Sequence, residues 1–265
     1  MGYNEMLRVA SANAQCSGAW KYISGNISFI NKGDKMNTNN KLALAAGFLY
    51  LVTIIAGGFA EVFVRGALTV HGDPVATARN ILASEQLYRF GFVADLVCLI
   101  CGTFLSLIFY ILFKPVNRNL SLLALIFSIV ATAVMAVNLL NQQAPLLLLH
   151  NSSYLKAFTI EQLQTQSLFF LNLQSQGYNI SLLLFAFYFP IIGYLVYKSN
   201  FLPRILGVIY TLAGVGYLTN SLSWFLFPHL AAYLFPYVLL PAFVGEVSMS
   251  FWLIFKGVKA AEMKR

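Results

Sequence analysis

The sequence predicts an all-α integral membrane protein, a six-transmembrane-helix bundle with two short amphipathic helices in the outer loops. Apolar residues make up 59% of its 265 residues and charged residues only 10%, whereas soluble domains carry roughly a quarter charged residues. Six apolar stretches of about 20 residues are each long enough to cross a bilayer core. These stretches lack the periodic polar face of helices in a soluble bundle, so membrane helices are favoured.

The six predicted spans share a high apolar content and are separated by polar or Pro-containing segments. They run from Leu42 to about Val64, Phe90 to Phe113, Leu120 to about Leu140, Tyr178 to Tyr197, Ile205 to Phe227 and about Ala232 to Phe255. An even number of spans places both termini on the same side of the membrane.

The domain organisation expected from composition is simple. The membrane domain covers 41–258, and a basic cytoplasmic tail, 259–265, follows it. A polar N-terminal extension, 1–40, precedes the membrane domain and is expected to be disordered, with Met36 as a candidate for the true start. The extension has no long apolar core, so we do not interpret it as a secretory signal.

The net charge of +8 is distributed in a way that orients the chain. Thirteen basic residues fall on the side of the termini: Arg8, Lys21, Lys32, Lys35, Lys41, Lys114, Arg118, Lys198, Arg204, Lys256, Lys259, Lys264 and Arg265. The opposite side has four: Arg65, Arg79, Arg89 and Lys156. This positive-inside bias predicts a cell (inner) membrane protein with both termini in the cytoplasm. Membrane lipids are the expected partners of the basic residues, and no nucleic-acid role is expected.

The first outer loop is predicted to contain a short helix. Asp73 can cap its first turn and Pro74 suits the first helical position. The side chains expected on its apolar face are Val75, Ala78, Ile81 and Leu82. Such a helix would either pack on the bundle as a lid or act as a gate.

The second outer loop has a comparable signal. Thr159 and Gln162 are spaced as a capping box. Helical periodicity then continues towards Gly177, where the fourth predicted span begins.

Three carboxylates, Glu61, Asp95 and Glu246, lie within or next to apolar spans and are the leading functional candidates. A charge at this depth is unfavourable by several kcal/mol unless it is paired, hydrated or protonated. Arg65 and Arg89 are the available counter-charges for Glu61 and Asp95, and a structural ion pair between Glu61 and Arg65 is favoured by their spacing. Glu246 is the deepest acid and has no basic residue at its depth. It is expected to be protonated or bonded to amides such as Asn220.

Further polar residues concentrate in the outer halves of the spans. Asn138, Asn179 and Asn220 join the three acids and Arg89 as candidate ligand- or proton-binding residues. They predict an outward-facing polar cavity, roofed by the loop helices, with Glu246 at its floor.

Catalysis has little support, and no catalytic residue or cofactor is predicted. His71, His150 and His229 fall one in each outer loop and are weak candidates for a zinc site, but they lack the paired spacing of a known metal motif. Cys98 and Cys101 are expected to pack as small apolar side chains.

Three functions remain open at this stage. The preferred one is binding or transport of a small or lipid-like molecule in the polar cavity. The alternatives are a membrane-embedded lipid hydrolase, with or without a metal ion, and a structural or sensory membrane protein without a ligand. Oligomeric state is not predicted.

Several short motifs resemble those of one known family. They are Ala56–Glu61, Gly72–Pro74 continuing into Ala76–Ile81, Glu85–Arg89 with Asp95, Leu112–Asn117, Leu202–Gly207, and Pro241–Glu246 leading to Trp252 and Leu253. Together they resemble the bacterial membrane proteins of domain of unknown function family 4386, over about Lys41 to Val258. The resemblance implies a multi-pass membrane domain with no assigned activity. It places six polar residues in family motifs, without roles: Glu61, Asp73, Asn80, Arg89, Asp95 and Glu246.

Overall fold

The computed structural model describes residues 38–150 and 153–258. Most of the expected N-terminal extension, the candidate start at Met36 and the basic tail 259–265 lie outside the described residues. Contacts divide the chain into Met1–Lys41, of which only the helical residues Thr38–Lys41 are described, and Leu42–Arg265, which contains the bundle.

The described residues form long helices joined by short connections. In chain order these are α1 Thr38–Leu68, α2 Pro74–Ala83, α3 Glu85–Phe113, α4 Arg118–Leu149, α5 Ile160–Lys198, α6 Arg204–Leu226, α7 Pro228–Leu234 and α8 Leu240–Phe255. Two 3₁₀ turns, Ser153–Ala157 and Tyr237–Leu239, precede α5 and α8. Six segments are long and apolar enough to cross a membrane: α1, α3, α4, α5, α6 and Tyr237–Phe255. The predicted six-helix fold is confirmed.

The spanning helices are longer than the apolar stretches that predicted them. Helix α4 continues past Leu140 to Leu149, and α5 begins at Ile160, far before Tyr178. The predicted capping box of Thr159 and Gln162 is present, but the helix that it starts is continuous with the fourth span. A polar residue interrupts the apolar pattern by which a span is recognised in the sequence. It does not interrupt the helix itself when neighbouring helices offer a hydrogen-bond partner to its side chain.

The six spanning helices pack as a closed ring of neighbours. Helices α3, α4, α5 and α6 each pack against the next, α8 packs against α6, and α1 packs against α3. The hydroxyl of Ser250 in α8 donates to the carbonyl oxygen of Gly47 in α1 at 2.9 Å, which closes the ring. A Cβ on Gly47 would lie 2.7 Å from Ile254, so this close contact requires glycine.

The outward surface of the ring is apolar on every spanning helix. Large apolar side chains are exposed along each one, including Ile55, Ile100, Val137, Phe187, Val215 and Phe243. A soluble protein rarely exposes apolar surface on this scale. These side chains suit contact with lipid tails.

The two ends of the bundle differ. We call the end with α2, α7 and residues 153–159 the α2 end, and the end with residues 114–117 and 199–203 the turn end. Aromatic and aliphatic side chains fill the turn half, in a core that includes Phe109, Phe201 and Leu253. The buried amide side chains lie towards the α2 end: Asn138, Gln142, Gln174, Asn179 and Asn220.

Helix α2 packs on the bundle with a different face from the one predicted. Asp73 caps it as expected, accepting from the backbone N–H of Ala76 at 2.8 Å. Thr77, Ala78 and Ile81 are buried, while Val75 and Leu82 are exposed. The predicted face is wrong by part of a turn because the Thr77 hydroxyl bonds both backbone groups of Val70 and so turns inward.

Candidate functional site

The first polar centre of the bundle is an ion cluster around Arg65. The Arg65 Nε donates to Glu61 Oε2 at 2.8 Å, and its Nη1 donates to Asp95 Oδ2 at 2.6 Å. The side chains of Arg65 and Asp95 are each 13% exposed, whereas Glu61 is 43% exposed. The predicted pair of Glu61 and Arg65 is confirmed, and the same arginine also neutralises Asp95.

A glutamine that the sequence analysis missed completes this Arg65 cluster. Gln142 Nε2 donates to Asp95 Oδ2 at 2.9 Å, and Gln142 Oε1 lies 3.4 Å from Arg65 Nη1. The Gln142 side chain is fully buried, and the hydroxyl of Tyr88 donates to its backbone carbonyl oxygen. Predicted span ends had placed Gln142 in a loop, so its position facing Asp95 was not visible in the sequence.

The helix backbone changes geometry where it carries the Arg65 cluster. Residues Phe59–Arg65 form a π-helical stretch within α1, and the Gly66 N–H donates to the carbonyl oxygen of Glu61. Stretches of π-helix are rare and occur frequently at functional sites. This one places Glu61 and Arg65 together on the side of α1 that faces Asp95.

The predicted role of Arg89 as a partner of Asp95 is wrong. Arg89 Nε bonds Glu85 Oε1 at 2.7 Å, one turn away on the same helix and largely exposed. Asp95 lies further along α3, where Arg65 from α1 reaches it first. Arg89 therefore belongs to a surface pair.

The candidate asparagines form hydrogen bonds between the helices. Asn138 Nδ2 donates to the carbonyl oxygen of Gln174 at 2.7 Å, joining α4 to α5. Asn220 Nδ2 donates to Asn179 Oδ1 at 2.9 Å, joining α6 to α5. All three asparagines are buried, and each already has a protein partner. Asn80 Nδ2, in the first loop helix, donates to the carbonyl oxygen of Leu68 at 3.4 Å.

The second polar centre is Glu246, in the middle of the last span. Nine residues separate it from each end of the segment Tyr237–Phe255. Glu246 Oε1 accepts a hydrogen bond from the Tyr217 hydroxyl at 3.1 Å. No basic side chain among residues 38–150 and 153–258 lies within ion-pair distance of this carboxyl. The expected amide partner, Asn220, is instead bonded to Asn179, because Tyr217 is the residue of α6 that faces Glu246.

Aromatic side chains surround this carboxyl. The ring centroids of Tyr217 and Phe189 are 5.1 Å apart, and those of Phe189 and Tyr210 are 5.2 Å apart. The buried hydroxyl of Tyr210 donates to the hydroxyl of Tyr50 at 2.9 Å. We call the carboxyl with these rings the Glu246 site: Glu246, Tyr217, Phe189, Tyr210 and Tyr50.

Tyr178 lies between the two polar centres. Its phenol is within electrostatic range of Arg65 and Asp95, and Tyr217 is within electrostatic range of Tyr178. These tyrosines do not stand out in the sequence, because tyrosine is frequent throughout the spans. The seven-residue spacing of Tyr210 and Tyr217 could have indicated a shared helical face.

The histidines do not converge on a metal site. His150 Nδ1 lies 2.6 Å from the carbonyl oxygen of Leu146, and its Nε2 lies 3.4 Å from Glu85 Oε2. His71 and His229 are exposed. In the part of the chain that the structure describes, no three His, Cys, Asp or Glu side chains form a group that could hold a metal ion.

These features define a class, a helical multi-pass membrane protein with charged and hydrogen-bonding side chains inside the bundle. The chain belongs to the family described as "Domain of unknown function (DUF4386)", whose profile matches residues 45–257. The chain is also similar to an uncharacterized protein of Archaeoglobus fulgidus, with 27% identity over 174 residues that cover 66% of this chain and 88% of the relative. No solved structure matches the chain. The expected family is confirmed.

Proposed function

We propose that this protein binds and moves a small or lipid-like molecule through the polar interior of the bundle, with Glu246 as the group that holds the molecule or a proton. The proposal rests on the depth of Glu246 in the bundle and on the partner of its carboxyl. Its carboxyl lies at mid-span, and the side-chain partner that it has there is a tyrosine hydroxyl. An acid placed in this way is unfavourable for stability, and intramembrane acids that face the bundle interior are characteristic of ion, proton and substrate pathways.

The Arg65 cluster supports a second candidate, a structural role without a ligand. Its two acids share one arginine, and the buried amide of Gln142 also donates to Asp95, so every charged group there has a partner. A bundle in which all acids were held in this manner would need no ligand. Glu246 differs from that pattern, and we therefore prefer binding. The hydrolase alternative has no comparable support, because the histidines on which it depended do not converge among the described residues.

The orientation of the protein is part of the proposal. Within the unit Leu42–Arg265, five described basic residues lie at the turn end: Lys114, Arg118, Lys198, Arg204 and Lys256. No described Asp or Glu lies there to balance them. Lys114, Lys198 and Arg204 each lie within 6 Å of a tyrosine ring centroid, an arrangement suited to the headgroup layer. We propose that the protein lies in a cell (inner) membrane with the turn end facing the cytoplasm. The polar interior would then open towards the opposite side of the membrane.

Analysis of bound molecules tests the proposal. Wild type, Glu246→Gln and Glu85→Gln are purified in an uncharged detergent and denatured, and the released small molecules and lipids are identified by mass spectrometry. Glu85→Gln is the matched control because it removes an acid from a surface ion pair. We expect wild type and Glu85→Gln to release a molecule that Glu246→Gln lacks. Identical released molecules from all three proteins would contradict the proposal, provided that circular dichroism shows equal helix content.

A further inference from the structure

The chemistry around Glu246 narrows the class of molecule that the site accepts. Its components are one carboxyl, one hydroxyl in contact with it, and aromatic rings. We propose that the Glu246 site binds an organic cation, an alkylammonium group, with the carboxylate as its counter-charge and the partly exposed ring of Tyr217 as its wall, backed by the buried rings of Phe189 and Tyr210. This inference rests on the proposed function and names its substrate class.

Charge is the first argument for a cation. Three carboxyls of the described spans lie inside or beside the bundle interior, namely Asp95, Glu246 and the partly exposed Glu61, and Arg65 is the guanidinium that contacts two of them. If all are ionised, the formal charge is −3 + 1 = −2. Arg65 is already bound to Glu61 and Asp95, so the charge of Glu246 remains for a ligand. An anionic ligand would be repelled from this interior.

The rings are the second argument. A cation is attracted to the face of an aromatic ring within about 6 Å of the centroid, most strongly where water is excluded. Tyr217 and Phe189 are tilted by 57° to each other, and Phe189 and Tyr210 by 31°, so their faces are not all stacked against one another. Four tyrosines, Tyr50, Tyr188, Tyr210 and Tyr217, are within electrostatic range of the Glu246 carboxyl. Quaternary ammonium ions are recognised by such aromatic surroundings.

Accessibility is the third argument. Glu246 and Tyr217 are both half-buried, so each retains surface that a bound group can contact. Gly245 precedes the acid, and a Cβ there would lie 3.1 Å from Ile209 and 3.5 Å from the Tyr210 ring. Glycine thus brings α8 close to α6, and this contact sets Glu246 beside the rings.

A metal cation fits this site less well than an ammonium group. Ca²⁺ takes six to eight oxygen ligands and Mg²⁺ demands six in octahedral geometry. The Glu246 site offers two carboxylate oxygens and the Tyr217 hydroxyl, and aromatic walls cannot replace the remaining ligands. An alkylammonium group needs one counter-charge and weakly polar walls.

The test measures binding of two water-soluble ammonium ions to the full chain in an uncharged detergent. Isothermal titration calorimetry is run with choline, with butyltrimethylammonium, and with the uncharged analogue of choline that carries a tert-butyl group. We expect both cations to bind wild type and the analogue to bind at least about tenfold more weakly, because it lacks the charge that the carboxylate and rings attract. Glu246→Gln should weaken cation binding by at least about tenfold.

Two variants of Tyr217 separate ring from hydroxyl. Tyr217→Phe keeps the ring and should change cation affinity by less than about threefold, whereas Tyr217→Leu should reduce it by roughly tenfold. An equal loss of cation affinity in Tyr217→Phe and Tyr217→Leu would mean that the hydroxyl matters and the ring does not. That result would overturn the aromatic part of the inference. Glu85→Gln should bind as wild type does.

The outcomes also separate this inference from the proposed function. Failure of both cations to bind wild type, or equal binding of the uncharged analogue, overturns the organic-cation assignment. If mass spectrometry then finds a neutral or anionic molecule released in a Glu246-dependent way, the proposed function stands and only the assignment falls. If nothing released depends on Glu246, the proposed function falls as well.

Discussion

The Arg65 cluster and the Glu246 site both hold carboxyls inside apolar helices, but they are built from different residue types. In the Arg65 cluster, two acids from α1 and α3 share one guanidinium, and Gln142 from α4 donates to the same Asp95 oxygen that accepts from Arg65. At the Glu246 site, α8 supplies an acid and α6 supplies a hydroxyl, with rings around them. The first arrangement ties three helices together. The second leaves a charge or a proton without a protein counterpart.

Acidic side chains inside one bundle thus have two different surroundings, one with a cationic partner and one without. Removing one partner from a buried ion pair is strongly destabilising because the other charge remains. Removing a buried acid that has no cation partner relieves a desolvation penalty. We therefore expect substitutions in the Arg65 cluster to reduce the free energy of unfolding more than ligand binding. Substitutions at Glu246 should reduce ligand binding more than the free energy of unfolding.

The largest expected effect is the loss of Arg65. Arg65→Gln leaves Glu61 and Asp95 without their cation, with Asp95 only 13% exposed. We expect the free energy of unfolding to fall by about 3–5 kcal/mol. The measurement is unfolding in sodium dodecyl sulfate, followed by the helical signal in circular dichroism.

A double variant sharpens this prediction. Arg65→Gln combined with Asp95→Asn removes the charge that the single variant strands, and Asn keeps an oxygen for Gln142. The double variant should recover part of the lost stability, by about 1–3 kcal/mol. If the change in unfolding free energy of the double variant equals the sum of the two single changes, Arg65 and Asp95 do not act as a pair.

A smaller effect is expected inside the aromatic core. In Tyr210→Phe, the buried hydroxyl of Tyr50 loses its partner, so the free energy of unfolding should fall by about 1–2 kcal/mol. The double variant Tyr50→Phe with Tyr210→Phe should cost less than the sum of the single changes, because both polar groups are then gone. The same unfolding assay measures both, and strict additivity would speak against the hydrogen bond.

The smallest effect on stability is expected at Glu246. In Glu246→Gln, the new amide oxygen can still accept from Tyr217, and an unpaired acid is removed, so stability should change by less than about 1 kcal/mol. Glu85→Gln, in an exposed pair, should change it by less than about 0.5 kcal/mol. A loss at Glu246 as large as that of Arg65→Gln would break the comparison, because Glu246 would then be a structural acid.

Local chemistry in the sequence predicted part of this structure correctly. The capping residues Asp73 and Thr159 lie where their spacing predicted. Glu61 and Arg65 form the expected pair because residues four apart on a helix are neighbours whatever surrounds them. Predictions that depended on one helix alone were the reliable ones.

Partners from other helices could not be predicted in the same way. Arg65 rather than Arg89 reaches Asp95, and Tyr217 rather than Asn220 reaches Glu246. Each choice depends on the rotation and depth at which two helices meet, and hydropathy does not encode either. The buried face of α2 was missed for a different reason: Thr77 bonds the backbone of Val70, in the connection before the helix, and so turns inward.

The sequence by itself determined that this chain is a six-span membrane protein with acids in its spans, since span length and apolar composition are properties of the chain that a bilayer selects directly. Only the tertiary structure decided which acids are neutralised. One guanidinium can serve two carboxyls only if the helices that carry them pack side by side, as α1 and α3 do around Arg65. Glu246, on α8, lies opposite Tyr217 of α6 instead, and that packing leaves it without a cationic partner among the described residues.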